Sequence, residues 1–124
     1  MLLTGLLPDI STDPAIETAT DSIEAGRSGT IVAPVGIRPP LLAAVASRAD
    51  TPLVVLTATG RDAESLTNAL ASWIPGVAML PAWETLPHER LSPRADTVAQ
   101  RLSVLRRLAH PEEGGAIRVL IVPV

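Results

Sequence analysis

Apolar positions along this chain come in two forms, short unbroken β-branched runs and longer stretches with helical spacing. The clearest unbroken run is Leu53-Val-Val-Leu-Thr57. It is bounded by Asp50-Thr-Pro52 before and Thr57-Ala-Thr-Gly60 after. So short a run, apolar throughout, reads as a strand buried on both faces, as in a parallel sheet. Residues 29–33 (Gly-Thr-Ile-Val-Ala), 77–80 (Val-Ala-Met-Leu) and 117–122 (Ile-Arg-Val-Leu-Ile-Val) read as three further strands.

Between these runs the spacing changes to that of helices. Thr12-Asp13-Pro14 is a start signal: a capping side chain, then a proline where its missing N–H costs nothing. Ile16, Ala19, Thr20 and Ile23 mark the face that follows, and Gly26 the stop. An Ala- and Leu-rich helix is expected over 41–48, beginning at Pro39-Pro40. Ala63, Leu66, Leu70, Trp73 and Ile74 mark another, ended by Pro75-Gly76. The last, at about 94–109, starts at Ser92-Pro93, with Val98, Leu102, Leu105 and Ala109 as its expected buried stripe. Leu2, Leu3, Leu6 and Leu7 suit one short amphipathic turn, 34–40 a loop, and 111–115 a turn.

Helices alternating with strands predict an α/β fold: a parallel sheet of about four strands with flanking helices. The last strand stops just before Val124. On this reading it lies at a bare edge, so the sheet is incomplete and the chain a piece of a longer polypeptide.

Composition narrows the chemistry. The 124 residues suit one domain, and 47% are hydrophobic, but only 2% are aromatic, with no Phe and no Tyr. The core must therefore be built from Leu, Val, Ile and Ala. Cysteine is absent, which excludes disulfides, thiolate metal ligands and thiol nucleophiles. Net charge is −3, so no global positive field attracts nucleic acid. All 10 basic side chains are arginine. No apolar run is long enough to span a bilayer, and the start lacks a basic signal-peptide region, so the expected setting is cytoplasmic, without membrane contact.

The loop after residues 29–33 is where an α/β nucleotide-binding domain carries its phosphate loop. That loop needs small residues, a lysine and a Ser/Thr hydroxyl for Mg. Here Ala33 opens a loop with Gly36 as its only glycine, and Arg38 is the only cation. Pro39 and Pro40 stand where the lysine and hydroxyl belong, and neither has an N–H to donate. The position reads as degenerate, with no cofactor held there. Glu84, His88 and Glu89 lack metal-site spacing and read as polar loop residues, so no metal ligand or catalytic residue is assigned.

Arg94, Arg101, Arg106 and Arg107, with Arg90, give the last helix a basic side. It reads as a solvated face, with contact to phosphates or an acidic partner as the alternative. Trp83 either plugs the core or anchors a partner; the plug is the favoured reading. Two functional alternatives stay open: a nucleotide-binding domain with a divergent phosphate loop, and a small nucleic-acid-binding module using the Arg-rich last helix.

One stretch is far more specific. Leu80-Pro-Ala-Trp-Glu-Thr-Leu-Pro-His-Glu-Arg-Leu-Ser-Pro93, followed by Asp96-Thr97 and Arg101-Leu102, resembles the N-terminal region of bacterial transcription-repair coupling factors (Mfd). Thr57-Ala-Thr-Gly-Arg61 and Val119-Leu-Ile-Val-Pro-Val124 look like the same family, so the resemblance covers roughly residues 53–124. It implies that residues 1–124 are the first subdomain of a module similar to the excision-repair protein UvrB, with a degenerate P-loop NTPase-like fold. In that family the phosphate loop is lost and a later segment completes the sheet. Trp83 is the only aromatic where UvrB has an aromatic-rich segment for damaged DNA, which argues against damage gripping here.

For the whole protein the resemblance implies an ATP- and Mg-dependent double-stranded DNA translocase of helicase type. That protein displaces stalled RNA polymerase at lesions and recruits UvrA for nucleotide excision repair. This piece would be a non-catalytic scaffold whose partner is the remainder of the same polypeptide. Its contact candidates are Trp83, Arg90, Arg94, Arg101 and Arg107.

Overall fold

A computed structural model describes residues 2–83 and 94–124. The chain begins with a 3-10 turn, Leu3–Leu6, that runs into α1 (Leu7–Ser11). Helix α2 (Pro14–Glu24) starts where the sequence places it: the Asp13 carboxylate accepts from the amides of Ala15 (2.9 Å) and Ile16 (3.4 Å). Helix α3 (Arg38–Arg48) begins earlier than expected, because Pro39 and Pro40 sit inside its first turn, where proline is tolerated.

Arg48 near the end of α3 ties back to α2, 2.8 Å from Asp21 and 2.8 Å from Glu24. The Asp21 hydrogen bond, reinforced by Glu24, raises the guanidinium pKa above its ordinary value. Because the folded value is the higher one, the arginine's own part in this tie is present below its unfolded pKa and is lost as pH rises through the raised folded value.

The sheet comprises β1 (Leu53–Thr57), β2 (Val77–Met79) and β3 (Val119–Pro123), all parallel, in the order β1-β3-β2. Leu53 and Val77 both align with Val119. The connections are α4 (Gly60–Ala71) after β1, and α5 (Ala95–Ala109) with the short α6 (Pro111–Gly114) before β3. One face of the sheet carries the main core: Val119 and Ile121 with Ala63 and Leu70 of α4, Ala43 and Ala46 of α3, and Leu7 of α1. On the other face Val104 of α5 packs with Ala78, Leu120 and Ile117.

The α/β class, the parallel pairing and the flanking helices match the expectation; besides the earlier start of α3 and the short helix at the expected turn 111–115, four details differ. Residues 29–33 are not a strand, and Val32 is 96% exposed. β-branched residues favour a strand only where a neighbour completes the ladder, and among the described residues no segment pairs with the outer edge of β1. Strand β3 is the middle strand, not a bare edge. The middle position explains why it is apolar and buried almost throughout, while the edges are β1 and β2.

Strand β1, in turn, is not buried on both faces. Val54 is 58% and Leu56 65% exposed, because α5 packs over β2 and β3. Finally, α5 is rotated from the expected stripe. Thr97 and Val104 are buried while Leu102, Leu105 and Leu108 are exposed. The inward line is 97-101-104, set by Val104 on Ala78, with Arg101 turned to the same side.

The open half of the sheet predicts a surface effect without a core effect. Val54→Thr with Leu56→Thr keeps strand propensity and removes exposed hydrocarbon. Size-exclusion chromatography should show a larger monomer fraction, with urea stability changed by no more than about 0.5 kcal/mol.

Candidate functional site

Parallel α/β sheets bind ligands beyond the carboxyl ends of their strands. At that end of β1, the first turns of α3 and α4 face each other across a groove of about 270 Å³. Gly36, Arg38 and Pro39 line one wall; Thr57, Asp62 and Ser65 line the other. Leu66, Ala69 and Val35 supply apolar surface. The structure thus brings to one groove three of the five residues that the sequence reads as a degenerate phosphate loop. Ala33 and Pro40 do not line it, and Pro40 is buried in the first turn of α3.

Phosphate binding at a helix start needs free backbone N–H groups. The Ile37 amide donates to the Pro34 carbonyl (3.0 Å), and the Arg38 amide to the Val35 carbonyl. Pro39 and Pro40 have no N–H. Residues 37 to 40 therefore present no free backbone donor. Gly36 does not restore one through special geometry: its φ is not positive, and a Cβ there would meet nothing within 4 Å.

The opposite wall is closed in a different way. Thr59 caps α4, its hydroxyl oxygen accepting from the Asp62 amide (3.1 Å) and donating to the Asp62 carboxylate (2.8 Å). The Thr57 hydroxyl donates to the Thr59 carbonyl (3.1 Å). These contacts fix a carboxylate in the groove where a triphosphate would need positive charge. Sequence spacing gives no hint of Asp62 as a groove residue, because it belongs to a different strand-helix turn from Gly36 and Arg38.

The arginines of α5 are largely committed within the chain. Arg106 pairs with Glu113 at 2.7 Å, and Arg107 Nε donates to the Gly115 carbonyl (3.3 Å). Arg101 donates through Nη1 to the Pro81 carbonyl, and its guanidinium lies over the Trp83 ring, 4.4 Å from the centroid. Trp83 is 53% exposed, so it does not plug the core. Its ring carries the Arg101 cation on one face. Arg94 is the residue before α5 and offers no side-chain cap to it.

The expectations placed on Glu84, His88, Glu89 and Arg90 lie outside the described residues. The ligand atoms of His110, Glu112 and Glu113 lie within 4.8 Å of one another at the α5–α6 junction. All three are exposed, and Glu113 is already paired with Arg106. Among the described residues no helix is long and apolar enough to cross a membrane.

Fold and groove together define a parallel α/β domain whose groove at the end of β1 has no backbone cradle at residues 37 to 40. No family model matches the chain. Comparison with curated proteins is more informative: 85 residues, 68% of the chain, are 54% identical to the transcription-repair coupling factors of Mycobacterium bovis and Mycobacterium tuberculosis. The Escherichia coli transcription-repair coupling factor is 35% identical over 85 residues. The chain belongs to the transcription-repair coupling factor family, and the match spans about 7% of the length of these relatives.

Proposed function

We propose that residues 1–124 form the first subdomain of the UvrB-like module of a transcription-repair coupling factor, acting as a scaffold without nucleotide turnover. The observation that carries this is the groove at the end of β1. Four consecutive residues, 37 to 40, offer no free backbone donor, and the Asp62 carboxylate is fixed across from them. ATP and Mg then serve the motor of the whole protein, elsewhere in the polypeptide. That motor tracks double-stranded DNA and displaces stalled RNA polymerase, and the assembly recruits UvrA for nucleotide excision repair in the cytoplasm. The role of this subdomain is to hold the rest of the same polypeptide in place, with Trp83, Arg90, Arg94, Arg101 and Arg107 as its contact candidates.

The test is equilibrium titration of the chain with a fluorescent ATP analogue and Mg. The expected result is no saturable binding up to millimolar ligand. Saturable binding abolished by Gly36→Val or Arg38→Ala would overturn the proposal in favour of a nucleotide-binding domain with a divergent loop. A nucleic-acid module based on the last helix draws little support, since Arg101, Arg106 and Arg107 are spent on Pro81, Glu113 and Gly115.

A further inference from the structure

The geometry points to Arg101 as a latch that fixes the position of Trp83 and can open without unfolding the sheet. Among the described residues, the last backbone tie of this segment to the sheet is the Leu80 amide, which donates to the Ile121 carbonyl (2.9 Å). Immediately beyond it, one side chain takes over. Arg101 Nη1 donates to the Pro81 carbonyl, and its Cζ lies over the Trp83 ring, 4.4 Å from the centroid. Both ends of the three-residue stretch 81–83 are thus tied to a single guanidinium on α5.

Two features make this a latch and not a piece of core. Trp83 is half-exposed, so burial supplies only part of its hold. Arg101 Nε is buried and has no hydrogen-bond partner. The guanidinium is therefore withdrawn from water on the side that faces the protein, which strengthens its attraction to the indole face and the carbonyl. The same orphaned donor lowers the cost of release, since an opened Arg101 regains water at Nε. The closed state depends on a planar fork that reaches a ring and a carbonyl at once, and lysine cannot reproduce it. Arg101 is on this account a positioning residue: it decides where Trp83, the leading aromatic of the W-E-T-L-P-H-E-R-L-S-P stretch, is presented.

The test uses Trp83 as its own reporter. The chain has two tryptophans, so Trp73→Phe leaves Trp83 as the sole indole. In that background Arg101→Ala should red-shift the emission and raise acrylamide quenching, while circular dichroism and the urea midpoint stay those of the background. Arg101→Lys should recover only part of the shift. Unchanged emission and quenching in Arg101→Ala would overturn the proposal, because something else would then hold the ring. So would a midpoint that falls together with the emission change in both variants, since the tie would then belong to the cooperative core.

Discussion

Replacing Leu70 by alanine should destabilise the chain by about 2–5 kcal/mol, read as a fall in the urea midpoint. Leu70 is fully buried between α4 and the sheet, in a cluster with Ala43, Ala46, Ala63, Val119 and Ile121. Three of the seven other buried members of that cluster, which also includes Leu7 and Ile74, are alanine, and the chain has no Phe or Tyr to swing into the space. The cavity left by Leu70→Ala therefore stays largely open, which places the cost toward the upper part of the range. Domains of this size have about 5–15 kcal/mol in total, so this one change removes a large share of the stability. The paired control is Leu102→Ala on α5. That leucine is 61% exposed, and its loss should stay within about 0.5 kcal/mol. A stronger effect at Leu102 than at Leu70 would contradict the rotation of α5 described above.

Gly76→Ala is the second large effect, and it arises from backbone geometry. Gly76 has φ 78°, a conformation that side chains rarely adopt. A Cβ there would lie 2.8 Å from the Ala116 carbonyl oxygen and 3.2 Å from the Arg118 amide nitrogen. The Gly76 carbonyl meanwhile accepts from the amides of Arg118 (2.8 Å) and Val119 (3.2 Å), where β3 begins. Strained backbone alone costs about 1–3 kcal/mol, and the clash adds to it by pushing β2 away from β3. Gly26→Ala separates the two terms. Its φ is 67°, but nothing lies within 4 Å of the added carbon, so only the conformational part should be lost. Gly36→Ala lacks both terms and should be neutral or slightly stabilising, by up to about 1 kcal/mol. Comparing the three midpoints in one urea series checks the argument.

Local chemistry in the sequence was a good guide where structure is decided locally. The start of α2 follows from Asp13-Pro14, and β1 follows from an unbroken apolar run between turn residues. The lack of backbone donors at residues 39 and 40 is equally local: two prolines remove two N–H groups whatever surrounds them. What escaped was set by distant partners. Residues 29–33 have the composition of a strand, yet a strand exists only when another accepts its ladder. The middle position of β3 depends on sheet order, which no periodicity encodes. On α5, apolarity argued for leucines inside, but a carbonyl at Pro81 and a ring at Trp83 turn Arg101 inward instead. Asp62 was invisible as a groove residue for the same reason, since only the fold sets it opposite Arg38.

The central position of β3 has a consequence for the order of assembly. Strands β1 and β2 are made first, but neither pairs with the other; among the described residues both pair only with β3. The partner of Leu53 is Val119, 66 positions later by the difference of their numbers. During synthesis the first two strands therefore emerge with no mate, and every ladder in the sheet waits for the last one. Closing loops of that length before any ladder forms slows folding and leaves apolar strands exposed meanwhile. The helices can form as they appear, while the sheet should close in a single late step that draws β1 and β2 in from opposite sides.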